Sequence, residues 1–165
     1  MSKITLNLTS SVRVSPKLYK WLTLAATIAE SELPKNVKSA PLSLTLCGDT
    51  RMRQTNKIHR GKDKTTDVLS FPAQENLRVQ KNLDWSAPGE LPLGDLLISL
   101  PVARKQARRF NLPLETEVVH LFFHGFLHLL GFDHEISTAE EKLMQKKEAK
   151  LLADFAKKRN KIKLK

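Results

Sequence analysis

Cysteine is nearly missing: Cys47 is the only one in 165 residues. That excludes an internal disulfide, a cysteine-rich zinc cage and a paired redox motif, so any metal must be held by histidine, aspartate or glutamate. Long apolar runs are missing too. A bilayer span needs about 18 consecutive apolar residues, and the opening Met1-Ser2-Lys3-Ile4-Thr5 lacks the apolar core of a signal peptide. No membrane association and a cytoplasmic location are therefore expected. Acid is the third shortage. Seventeen Asp and Glu face twenty-eight Lys and Arg, giving a formal charge of +11, which favours polyanionic partners such as nucleic acid.

The basic residues are clustered. Lys157, Lys158, Arg159, Lys161, Lys163 and Lys165 lie in the last nine positions, and taking these six from +11 leaves +5 on the rest. Arg51, Arg53, Lys57, Arg60, Lys62 and Lys64 crowd a stretch whose single acid is Asp63, and Arg104, Lys105, Arg108 and Arg109 form a third group. Taken alone, each run reads equally well as a solvated surface.

With 41% hydrophobic residues, a chain of this length can bury one core, so a single compact domain over 1–156 is expected, with a disordered basic tail at 157–165. Alternating apolar residues predict strands at 4–8, 41–47, 66–71 and 94–99, and 3.6-residue periodicity predicts a helix over 16–30. A polar helix should follow Gly48 over 50–59, and another should start near Pro101 and run to about Phe110. Asn, Pro and Gly mark 76–92 as an irregular excursion. A central helix, apolar on nearly every face, is expected over 114–130 and closed by Gly131. Ser137, Thr138, Ala139 and Glu140 form a capping box for a last helix ending near Lys158. The expected class is α+β: a small mixed sheet of about four strands packed with helices.

The central helix carries Glu117, His120, His124 and His128 as a polar stripe among Val118, Val119, Leu121, Phe122, Phe123, Phe126, Leu127, Leu129 and Leu130. Burying such a stripe would be costly without a shared purpose. His124 and His128 are one turn apart, about 6 Å along the axis, and two imidazoles so placed can grip one ion. His120 and His128 would be about 12 Å apart on a straight helix, too far for both to share bonds of about 2.0–2.1 Å. The bend at Gly131 lets His134 return instead, giving H-x3-H-x5-H. Three protein ligands leave a position open, the mark of a catalytic rather than a structural site, and hydrolysis is the expected chemistry. The pattern overlays that of metzincin proteases except that Gly125 replaces their general-base glutamate. This argues against peptide hydrolysis and suggests room for a bulky substrate beside the metal.

The run 120–134, HLFFHGFLHLLGFDH, resembles the signature of the YbeY endoribonucleases. RGKDK at 60–64 followed by TDVLSFP at 66–72 is similar to that family's second block, and LGDLLIS at 93–99 to its third. The excursion and the lysine-rich tail are the departures. The resemblance implies a compact α+β fold and one divalent ion per chain, zinc or alternatively nickel, on His124, His128 and His134. It also implies that Arg60 is the cation of the cleft, where a guanidinium can fork two phosphate oxygens. The implied activity is a single-strand-preferring endoribonuclease in ribosomal RNA maturation, at the late small-subunit 3′ end, and in ribosome quality control. The implied partners are ribosomal RNA and the ribosome or its small-subunit assembly proteins.

Asp133 and His120 are candidates to orient a ligand imidazole, as metal-bound histidines commonly require; His120 reads equally as a satisfied core histidine. Arg51, Arg53, Lys62, Lys64, Arg104 and Arg108 are the candidate RNA contacts. The general base stays open among Glu135, Asp133, the metal hydroxide and a substrate phosphate. Two alternatives remain: an RNA-binding assembly factor with a mainly structural metal, and a metal-dependent hydrolase of another substrate.

Overall fold

The computed structural model describes residues 3–79 and 90–163. Strand β1 (Ile4–Ser10) leads into helix α1 (Pro16–Ala29), whose first turn is closed by Ser15 Oγ accepting from the Leu18 amide at 3.1 Å. Strand β2 (Ala40–Cys47) and helix α2 (Asp49–Arg60) follow, then strand β3 (Val68–Pro72), strand β4 (Gly94–Ser99) and helix α3 (Leu100–Arg109). Helices α4 (Leu114–Leu129) and α5 (Thr138–Lys163) complete the order. The four strands run β1-β2-β4-β3, with β1, β2 and β4 parallel and β3 antiparallel along β4. This is the mixed sheet packed with helices that the sequence led us to expect.

The alternation within β4 sorts side chains onto two faces. Leu96 and Ile98 join Leu42, Leu44 and Leu46 against α1 and the three phenylalanines of α4, Phe122, Phe123 and Phe126, all fully buried. Leu97 points the other way, to Leu69, Cys47 and Met52 of α2. Burial, against the nearby Arg51 charge, pushes the Cys47 thiol up to about 11, so it is inert at neutral pH. β3 starts at Val68 rather than at 66 because Asp67 folds its own carboxylate onto the Val68 amide at 2.8 Å and takes the Gln106 amide at 2.9 Å. Gly94 has φ +128, and a Cβ there would lie 2.2 Å from the Phe71 carbonyl oxygen, so only glycine lets β4 pass β3 at this point.

The excursion is fixed where it leaves and rejoins the fold; its residues 80–89 lie outside the described part. A short 3-10 turn, Leu77–Val79, buries Leu77, while Arg78 donates from its amide to Leu130 O at 3.0 Å and from Nε to Gly131 O at 3.1 Å. Its guanidinium also pairs with Glu140 and lies 4.4 Å from the centre of the Phe132 ring. On the return, Leu93 donates to Pro41 O at 2.8 Å.

The basic tail departs from expectation. α5 continues through the described residues to Lys163, so 157–163 are helical rather than disordered. The cause is a contact remote in sequence: Phe155 meets Trp21 of α1 edge-on at 5.5 Å, and one turn later the Arg159 guanidinium lies 5.3 Å from the same ring.

Candidate metal centre

The polar stripe of α4 faces α5 and the turn that joins them. The ring centroids of His124 and His128 are 4.8 Å apart, and His134 lies 5.4 and 5.1 Å from them. One ligand nitrogen from each of the three falls within 4.8 Å of the others. The helix ends as the spacing requires: Phe132 donates to Leu127 O at 3.0 Å, and Gly131 takes φ +93. A side chain at 131 would be doubly opposed, because a Cβ there would sit 2.8 Å from Asn76 Cα. Beyond the bend Asp133 Oδ1 accepts from the Glu135 amide at 2.8 Å, which shapes the turn carrying His134. Asp133 was a candidate to orient an imidazole; its observed hydrogen bond is to this turn.

A carboxylate that sequence reasoning missed reaches the ligand ring. Glu148 Oε1 lies 3.1 Å from His124 Nδ1 and 3.4 Å from His120 Nε2, while His120 Nδ1 is 3.6 Å from the buried Glu117. A signal was available. Met144, Leu151 and Phe155 form the buried stripe of α5, and Glu148 is the acid that interrupts it at helical spacing.

A donor set of three imidazoles suits a divalent ion of intermediate softness, and the geometry agrees. His124 Nδ1 faces Glu148, and its other nitrogen, Nε2, lies 3.2 Å from His128 Nε2. Two metal–nitrogen bonds of about 2.0–2.1 Å at a near-tetrahedral angle place their donor atoms about 3.3 Å apart. Burial, followed by the neighbouring His124 and His134 charges, pushes His128 down to about 4, so the ring is neutral at pH 7. Burial tends to raise the Glu148 carboxyl, but hydrogen bonds from His120 and His124, with their charges, outweigh it and hold the group at about 2. The hydrogen bond to Glu148 raises His120, against its burial.

Arg60 closes α2 immediately before Gly61, which takes φ +67. Its side chain lines a cleft of about 320 Å³ shared with His128, Ser70, Asp133 and Ile136. Residues 60 and 128 are thus brought to one opening from different sides of the chain. The other basic candidates are scattered. Arg51, Lys62 and Lys64 are exposed on or after α2, and Arg53 is held by Asp63 at 2.7 Å, with Lys57 on the other oxygen at 3.1 Å. Arg104 and Arg108 are exposed on α3, where Arg104 lines a separate cavity of about 480 Å³ with Arg13.

Gly125 corrects an expectation. It does not open space beside the histidine cluster: it is buried, and a Cβ would lie 2.8 Å from Leu96 Cδ2 and 3.1 Å from both Ser70 Oγ and Val68 Cγ2. Ser70 Oγ donates to Gly125 O at 3.2 Å, so the glycine lets α4 press directly on β3 and β4. Restoring the protease glutamate with Gly125→Glu should therefore produce no peptidase. It should lower stability by about 3 kcal/mol or more through overpacking and a buried charge. Chemical denaturation reads the loss, and an unchanged midpoint would refute this packing account.

Comparison with known proteins places these features in one group. A family model described as Endoribonuclease YbeY matches residues 5–156. A protein of Sulfurihydrogenibium named Endoribonuclease YbeY is 45% identical over 109 residues, which is 66% of this chain and 66% of that protein's length. Proteins of the same name are 41% identical in Leptospira interrogans, over 71% of this chain and 88% of theirs, and 40% identical in Aquifex aeolicus, over 86% and 83%. The solution structure of TM1509 from Thermotoga maritima shares the fold, with a TM-score of 0.64 at 23% identity over 95% of this chain and 93% of that one. With its sequence matched from β1 into α5, and its histidines converging where α4 ends, this chain belongs to the Endoribonuclease YbeY family.

Proposed function

We propose that this chain is a metal-dependent, single-strand-preferring endoribonuclease. In this reading it matures ribosomal RNA at the late small-subunit 3′ end and contributes to ribosome quality control in the cytoplasm. The observation that supports the proposal is that Arg60 and His128, one of the three clustered histidines, line one cleft, as a phosphate anchor beside a metal centre would. The name carried by the relatives supports a nuclease, and the +11 charge supports an RNA partner.

His124, His128 and His134 would hold one zinc ion, with nickel as the alternative. When bound, such an ion supplies Lewis-acid activation of water or of the scissile phosphate. The protein's own groups do the rest. Arg60 forks two phosphate oxygens and opposes the charge that accumulates on them as the phosphodiester breaks. Ser70 and Gly125 hold β3 against α4 and so fix the cleft's floor. Exposed Arg51, Lys62 and Lys64 extend the positive surface away from Arg60 for the RNA backbone. Ribosomal RNA and the small-subunit assembly machinery are the partners in this reading.

Chelation provides the test. Purified protein carrying one zinc should cut single-stranded ribosomal RNA fragments; stripping the metal should abolish turnover while circular dichroism still reports the folded helices. Unfolding on chelation would instead favour an assembly factor whose metal is structural. Cleavage that persists in fully metal-free protein would reject the proposal.

A further inference from the structure

We propose that Glu148 is the positioning residue of the metal centre: from α5 it holds ligand His124 in the Nδ1–H tautomer, so that Nε2 is the atom presented to the ion. The inference rests on the metal-centre reading above and goes beyond the three-histidine set. All three histidines lie on α4 or on the bend after it, yet nothing in that segment is seen to fix which nitrogen of His124 carries the proton. Glu148, 24 residues further on, places an oxygen 3.1 Å from Nδ1. An ionised carboxylate only accepts, so the nitrogen it faces must be the donor. The opposite nitrogen then meets His128 Nε2 at 3.2 Å, in the position of a second ligand atom.

The carboxylate is itself held. His120 Nε2 is 3.4 Å from the same Oε1, and the far side of the His120 ring is 3.6 Å from Glu117, whose side chain is 5% exposed. Glu117, His120, Glu148 and His124 thus form an alternating chain of carboxylates and imidazoles ending at the metal position. His120, too distant to be a ligand together with His128, gains a role in it: it pins the carboxylate that pins the ligand. The arrangement explains why a charged residue persists in the buried stripe of α5, between Met144 and Leu151. It also makes α5 part of the metal centre rather than a cover over the core.

The test reads zinc affinity of the full chain by competition with a chromophoric chelator. Glu148→Ala should bind zinc about 10-fold to 100-fold more weakly than wild type, the range typical of lost partners to ligand imidazoles. Glu148→Gln should recover much of the loss, because its amide oxygen accepts the same bond. Lys147→Met is the structural control: it removes the 2.6 Å pair from α5 to Glu32, so it should lower stability and leave zinc affinity unchanged. Long-range proton–nitrogen correlation spectra of the metal-free wild type should show His124 protonated on Nδ1, a signature that Glu148→Gln keeps and Glu148→Ala loses. Wild-type protein that binds zinc while Glu148→Ala matches it within about twofold would overturn the role of Glu148 alone, as would an Nε2–H tautomer in the wild type. Equal weakening by Lys147→Met would do so too, by reducing the effect to helix docking. Wild-type protein that binds no zinc would overturn the metal reading and this inference with it. If Glu148→Ala does not fold, the tautomer in the wild type still decides.

Discussion

Replacing His124 by alanine should abolish both the metal and the reaction. The ring faces His128 and His134 at centroid distances of 4.8 and 5.4 Å, so its removal leaves two imidazoles, one of them on the exposed bend. Two imidazole nitrogens cannot hold a divalent ion as three do. Zinc content should fall from one per chain to near zero, and RNA cleavage by about three orders of magnitude or more, equivalent to about 4 kcal/mol of lost transition-state stabilisation. The fold should persist, because Phe122, Phe123 and Phe126 are untouched and the α4 backbone is unaltered. What should vanish is the zinc-dependent stabilisation of the wild type, about 4 kcal/mol when free metal stands a thousandfold above its dissociation constant and read as a rise in melting temperature. Metal analysis beside a cleavage assay checks both. A His124→Ala protein that retains stoichiometric zinc would mean that the ligand set is wrong.

Arg60→Ala should separate the anchor from the metal. The guanidinium shares the cleft with His128 but comes from α2, so its loss leaves the three nitrogens in place. Zinc content should stay at one per chain while kcat on single-stranded RNA falls by about 10²-fold to 10³-fold, the usual effect of losing one donor to a developing oxyanion. Arg60→Lys should recover only part, since an ammonium supplies charge without the planar fork. Arg60→Glu should be worse than alanine, because it sets a carboxylate against the phosphate. A fall confined to KM would demote Arg60 to a general contact with the backbone, and full activity in Arg60→Glu would remove it from the cleft chemistry.

The physical range of each signal decided what could be read from residue order. Helix and strand positions followed from periodicity, and the grouping of His124, His128 and His134 followed from helical rise plus one glycine, because every step is local. The failures are all tertiary. Gly125 was read as open space, whereas its reason is Leu96, Ser70 and Val68 pressing from the sheet. The end of α5 was expected to be a disordered basic tail, yet Trp21 from the first helix holds Arg159. Glu148 was invisible because its partners lie on another helix, although its place in an apolar stripe marked it as an acid needing an explanation. The pairing of Arg53 with Asp63, ten positions on, was likewise not legible in the sequence.

The spacing of the site's parts along the chain bears on the order in which they assemble. His124 and His134 are ten positions apart and are joined by one helix end and one bend, so closing that loop costs little chain entropy. Arg60 stands sixty-four positions before His124 and reaches the cleft only after β3 has paired with β4 and α4 has seated on both. Closing a loop of that length costs more chain entropy. A partly folded chain with α4 and its bend formed but the sheet unpaired would hold its three imidazoles together without Arg60 beside them, and in the proposed reading it would lack its phosphate anchor.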